Sequence, residues 1–183
     1  MSKLATAVVI LAALGCGRRN FNEDAGPGDA TPIDAPIDAP PPRACEGAPV
    51  GCTTPTTYTC GGTCYVACAD SVSRPVAATA CAEWGGCLAT IPDQAANDCA
   101  ASRVQTQAWI GALQANTATT PADGWAWCDG SPLTFTAGWR IGEPDDIDDL
   151  ESGQAQCASI DTGGGWFDDG CTFALEYVCS RSI

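Results

Sequence analysis

Histidine is absent from all 183 residues. That absence removes the side chain that titrates near neutral pH, and with it Ser-His and Cys-His nucleophile pairs and the commonest zinc ligand. Enzymatic chemistry is therefore not expected. Basic residues are scarce too: eight Lys and Arg stand against 22 Asp and Glu, for a formal net charge of −14. A surface this negative repels phosphate backbones, so no nucleic-acid partner is expected. No apolar run is long enough to cross a bilayer, which takes about 20 residues in a helix. The longest, Leu4 to Gly15, follows Lys3 and fits the apolar region of a secretory signal peptide.

Cysteine is abundant, with 13 residues, an odd number. The apolar run ends in "ALGC", Ala13 to Cys16, similar to a bacterial lipobox, in which the cysteine is lipidated and becomes the mature N-terminus. The alternatives are an ordinary signal peptide cleaved nearby, or Cys16 as a disulfide partner. Lipidation is the favoured reading, because setting Cys16 aside leaves 13 − 1 = 12 cysteines. An even set suits an oxidising compartment.

These signals predict residues 1–15 as signal peptide, and 16–44 as a lipidated Cys16 followed by a disordered Pro/Asp/Ala linker. Residues 45–183 form one folded domain. The linker carries the repeat "IDAPIDAP", Ile33 to Pro40. Proline fixes φ and donates no ladder hydrogen bond, so this stretch builds neither a sheet nor a long helix. The expected location is outside the cytoplasm, with the domain secreted and held to the cell envelope or surface only by the N-terminal lipid.

All six tryptophans fall in 45–183, together with the twelve remaining cysteines. Two short helices are predicted. One starts at Ser73-Arg74-Pro75, with Ser73 as cap and Pro75 in the first turn, and runs to Gly85-Gly86. The other follows Pro92-Asp93, with Asp93 as cap, and covers Gln94 to Val104. Beyond Gln107 come short apolar or alternating runs, "AWIGAL", "GWAWCDG", "QCASI" and "ALEYVCS", broken by Gly, Asp and Pro. Two helices followed by several strands is an α+β layout.

Six motifs in register, "WIGAL" (Trp109 to Leu113), "WAWCDGSPLTF" (Trp125 to Phe135), Trp139, "GEPD" (Gly142 to Asp145), "WFDDGC" (Trp166 to Cys171) and "EYVC" (Glu176 to Cys179), resemble the C-type lectin-like domain. "CAEWGGCLATI", Cys81 to Ile91, resembles its first helix and following strand, and Cys64-Tyr65 the start of its long form. The resemblance covers roughly residues 52 to 181. It implies two short helices and small antiparallel sheets with a long loop region, rich in disulfides. It also implies bridges Cys81–Cys179 and Cys157–Cys171, with Cys52–Cys64 as the hairpin bridge of the long form. Cys45, Cys60, Cys68, Cys87, Cys99 and Cys128 stay unassigned, since six cysteines allow fifteen pairings. A metal cluster is the alternative for the CxxxC spacings Cys60/Cys64 and Cys64/Cys68. Without histidine, disulfides are preferred.

The stretch "GEPDDIDDLES" crowds Glu143, Asp145, Asp146, Asp148, Asp149 and Glu151 together with no Lys or Arg among them. A charge run is usually only solvated surface. The resemblance implies more: calcium ligands at Glu143, Asp145, Glu151 and Asp168, with a cis peptide before Pro144. Phe167 stands where the family has an amide, and Asp145 replaces Asn, so two hydrogen-bond donors for a sugar are missing. Phe167 is expected to face the site and to offer a surface for an apolar sugar face. Asp146, Asp148 and Asp149 match no ligand position. Trp109, Trp125, Trp127, Trp139 and Trp166 are expected in the core.

The function expected is a surface-anchored binding module for carbohydrate or protein ligands, with calcium in the long loop. The alternative is a calcium-independent structural or protein-interaction domain of the cell envelope. Glycoside hydrolysis by two carboxylates is the enzymatic alternative, and a crowded acidic loop argues for chelation over a tuned acid–base pair.

Overall fold

The computed structural model describes residues 45–146 and 156–183. They lie in the second of two units, Pro40–Ile183. The order of elements is β1 (Pro55–Cys60), β2 (Thr63–Val72), α1 (Arg74–Glu83), β3 (Cys87–Leu88), α2 (Gln94–Ala101), β4 (Gln107–Gln114), β5 (Trp125–Ala126), β6 (Cys157–Asp161), β7 (Trp166–Asp169) and β8 (Leu175–Ser182). This is the α+β layout with two short helices. None of the helices in the described residues is long and apolar enough to cross a membrane.

The strands join in the order β1-β2-β8-β4-β6-β7, with β3 on β8 and β5 on β4. All pairings are antiparallel except β4 with β8, and that parallel step merges the strands into one sheet. The hairpin β1–β2 precedes α1 and is the part the apolar patterning did not mark. Its strands carry Thr, Tyr and Cys, and β1 is largely exposed.

Strand period 2 sends alternate residues of β2 to opposite faces. Cys64, Val66 and Cys68 pack with Ala77, Cys81 and Trp84 of the α1 region. Tyr65 and Ala67 face the other core, with Ala100, Val104, Trp125, Trp127 and Trp166. Asp93 caps α2 by accepting a bond from the Ala96 N–H at 2.9 Å. Ser73 occupies the cap position of α1, but its side chain makes no capping bond. The second helix stops at Ala101, short of Val104, which turns inward to the core.

The twelve cysteines of the described residues form six bridges. Cys81–Cys179 ties α1 to β8, and Cys157–Cys171 ties β6 to the turn after β7. The Cys52–Cys64 bridge does not form. Cys64 pairs with Cys45, and Cys52 with Cys68. Geometry explains the difference. Cys64 and Cys68 share a face of β2 but stand about 13 Å apart at about 3.3 Å per residue. The Cα of Cys52 lies 5.6 Å from that of Cys68, which puts Cys64 beyond the roughly 7 Å limit for a disulfide. The remaining bridges are Cys60–Cys99, joining β1 to α2, and Cys87–Cys128, joining β3 to the loop after β5. The CxxxC cysteines are therefore bridged to other partners and form no metal cluster.

Candidate functional site

The site is built where the loop after Trp139 meets β7. Trp166, fully buried, is the floor: Trp127, Phe135 and Trp139 each meet its ring nearly edge-on, with centroids 5.5–5.7 Å away. Its indole N–H donates to Asn97 Oδ1 at 2.7 Å, and Asn97 Nδ2 donates to the Gly164 carbonyl at 2.9 Å. The loop closes onto this floor at Gly138, whose carbonyl accepts from Trp166 N–H at 2.8 Å. A Cβ at Gly138 would run into the Trp166 ring, so only glycine lets the loop lie this close. Trp109, Trp125 and Trp127 are buried and Trp139 half-buried, all in the core.

From there Arg140 leads to Gly142, at φ +104°, a conformation that glycine adopts readily. The Glu143-Pro144 peptide is cis. Asp146 follows at φ 54°, the left-handed region that Asp tolerates better than most residues. This path turns the amides of Asp145 and Asp146 toward Asp168 on β7. The Asp168 carboxylate, 5 % exposed, accepts both N–H groups, at 3.1 and 3.0 Å.

Carboxylate oxygens of Glu143, Asp145 and Asp168 all lie within 4.8 Å of one another. Oxygens bound to one calcium at 2.3–2.6 Å sit at most about 5 Å apart. The three carboxylates therefore fit a hard divalent cation in both chemistry and spacing. Glu151, the fourth predicted ligand, lies outside the described residues, as do Asp148, Asp149 and Cys16. Burial, then the neighbouring carboxylates of Asp168, Asp145 and Asp169, push the Glu143 carboxyl up to about 7 from an ordinary 4.5. Asp146 is raised as well, by burial and then by the Asp168 charge.

These shifts set a pH dependence for the metal-free protein. Between about pH 4.5 and 7 the native state holds more protons than the unfolded chain. Stability is complete below this window and falls as pH rises through it. Urea midpoints in EDTA are expected to drop from pH 5 to pH 8, and Glu143→Gln to flatten the drop. A wild-type midpoint that rises with pH would reverse the assignment.

Arg140 is the residue beside the site that the acidic patterning did not single out. Its guanidinium is set 3.3 Å from Asp161 and lies over the Phe167 ring, 5.1 Å from the centroid. One face of Phe167 is thus covered by Arg140, where an open stacking surface was expected. Asp169 serves a different network, accepting from Gln107 Nε2 at 2.7 Å and from the Ser159 hydroxyl.

The profile of the family described as "Lectin C-type domain" matches residues 71–181. The CD209 antigen of Homo sapiens is 32% identical over 126 residues, covering 66% of this chain and 29% of that protein. The CD209 antigen of Symphalangus syndactylus is 34% identical over 126 residues, covering 66% of this chain and 30% of the relative. This chain thus spans less than a third of the length of those relatives. Among solved structures, the cow carbohydrate-recognition domain of CD23, crystallised in the presence of a GlcNAc2Man3 oligosaccharide, superposes with a TM-score of 0.61. It is 25% identical and matches over 69% of this chain and 93% of that one. A calcium-independent type II antifreeze protein superposes with a TM-score of 0.58 at 24% identity, over 69% of this chain and 91% of that one. Proteins of the family are binding proteins, not enzymes. The fold, the disulfide framework and the matched residues agree: this chain belongs to the C-type lectin domain family.

Proposed function

We propose that the chain is a surface-anchored binding module that takes a carbohydrate or protein ligand at a calcium-supported loop. The observation that carries this reading is the convergence of Glu143, Asp145 and Asp168 within 4.8 Å. Calcium there would neutralise the crowded carboxylates, and Glu151 would be the fourth ligand. Glu143 and Asp145 are only half-buried, so the cation would remain accessible to hydroxyls or carbonyls of a partner. With Phe167 supplying no oxygen, weak affinity is expected, about 10⁻⁴–10⁻³ M as in other extracellular modules.

A thermal and urea titration with calcium tests it. At a hundredfold excess over the dissociation constant, calcium should stabilise the domain by about 2.7 kcal/mol. Asp145→Ala and Asp168→Ala should show no such gain. A wild-type melt indifferent to millimolar calcium leaves the second reading, a calcium-independent interaction domain. That reading draws on Phe167 and on its Arg140 cover.

The anchor is proposed from Ala13 to Cys16: residues 1–15 removed, Cys16 acylated, 16–44 a spacer and 45–183 the binding domain. The proposal is of a bacterial-type lipoprotein, although the named relatives are primate proteins. Intact mass of membrane-extracted protein should give a chain starting at an acylated Cys16. A mature form that begins elsewhere and carries no lipid removes the anchor.

A further inference from the structure

Of the six bridges among the described residues, five have at least one buried cysteine: Cys64, Cys68, Cys99, Cys157, or both partners in Cys81–Cys179. Cys87–Cys128 is the exception, with Cys87 half-buried and Cys128 exposed. An exposed bridge is the kind that thiols reach, and exchange begins when a thiolate attacks one of its two sulfurs. Cys87 also lines a cavity of about 400 Å³ between the β1–β2 turn, the start of α2 and the end of β8. A small thiol fits such a volume, which gives a nucleophile a path to Cys87. Thr90 lies on the same wall, and its hydroxyl is 3.7 Å from the Cys128 sulfur. A bridged sulfur carries no proton, so the hydroxyl is the donor. It is placed to bond the thiolate that forms at Cys128 when Cys87 is attacked.

Cys60 lines the cavity as well, and the two bridges differ in what attack would expel. Attack at Cys60 would release the Cys99 thiolate into the core with Ala100 and Val104, where an unpaired charge is costly. Attack at Cys87 releases the thiolate of exposed Cys128 beside a donor. Charge selects the nucleophile. Asp93 and Asp129 stand on the wall, while the guanidinium of Arg181 donates to the carbonyls of Trp84 and Glu46, each at 2.8 Å. With a net charge of −14 besides, a carboxylate-bearing thiol is repelled and an amine-bearing one attracted. We propose that Cys87–Cys128 is a thiol-exchange site, opened through the cavity by a small thiol that carries no carboxylate. The thiolate bonds to the Cys87 sulfur, the S–S bond breaks, and the Cys128 sulfur keeps the electron pair and takes a proton from water. A second thiol then displaces Cys87 from the adduct. Two thiols are thereby oxidised to their disulfide while the bridge gains two electrons. Opening unties the loop after β5, which begins at Trp127, from β3. This site does not depend on the acidic-loop reading.

Limited reduction of the full chain tests it, with cysteamine, mercaptoethanol and mercaptopropionate as probes of similar size and different charge. Reactions are quenched in acid, free thiols are blocked and peptides are mapped by mass. Each rate is normalised to that thiol's exchange with a neutral reference disulfide. Cys87–Cys128 is expected to open first, about tenfold or more ahead of any other bridge, with the first adduct on Cys87. Normalised rates should fall in the order cysteamine, mercaptoethanol, mercaptopropionate, and added salt should compress the spread. Thr90→Val should slow opening about three- to tenfold, the equivalent of one hydrogen bond, and Thr90→Ser should restore it. The paired variant Cys87→Ala with Cys128→Ala should take up no thiol in the same interval while its melt stays cooperative. First opening at another bridge, a first adduct on Cys128, a charge order absent or reversed, or Thr90→Val at the wild-type rate would each overturn the proposal. No step uses calcium, so this site and the calcium-dependent melt fail separately.

Discussion

Replacing Trp166 by Ala is expected to destabilise the domain by about 4–5 kcal/mol, near the top of the range for large aromatic truncations. The indole is fully buried and is the common partner of Trp127, Phe135 and Trp139. Truncation leaves a large void and also strands the carbonyl oxygen of Asn97, itself 3% exposed, which alone costs about 1–3 kcal/mol. Against a typical total of about 5–15 kcal/mol, such a loss approaches unfolding. Trp166→Phe separates the two contributions, because it keeps most of the ring and loses only the N–H and some volume. The floor also positions Asp168, two residues along β7, so calcium stabilisation should weaken in any Trp166→Ala protein that still folds. Urea unfolding at fixed pH checks the expectation. A loss under about 1 kcal/mol would mean that the loop region does not rest on this ring.

Removing the Cys81–Cys179 bridge with paired alanines should cost about 4–5 kcal/mol, and removing Cys157–Cys171 about 3. The difference is expected from chain entropy, since the bridges close sequence separations of 98 and 14 residues. Cys81–Cys179 holds α1 against β8, the strand that also pairs with β2, β3 and β4. Its loss should therefore lower the whole transition, whereas loss of Cys157–Cys171 should mainly loosen the turn after β7. Both alanine pairs should be compared by chemical denaturation without added calcium. Equal costs, or a larger cost for the shorter loop, would contradict loop closure as the source of the stabilisation.

The clustering of Glu143, Asp145 and Asp168 was legible only through the family resemblance, since Asp168 lies 23 residues from Asp145 in sequence. The same resemblance implied the cis peptide before Pro144. The helix starts were legible for a local reason: a cap and its amide are three residues apart, as Asp93 and Ala96 show. The position of Arg140 over Phe167 was not, because it depends on how the loop after Trp139 folds back across β7.

The sequence by itself determined the absence of histidine chemistry, the acidic surface, the even set of twelve domain cysteines and the two helix starts. These follow from composition or from interactions within a few residues, which need no knowledge of the fold. Only the tertiary structure decided that Cys64 takes Cys45 and Cys52 takes Cys68. It likewise decided that Tyr65 faces the core shared with Ala100 and Val104 and stacks on Tyr58. The physical reason is the same in both cases: in a strand, consecutive residues face opposite sides, and which side meets which partner depends on packing against chain far away in sequence.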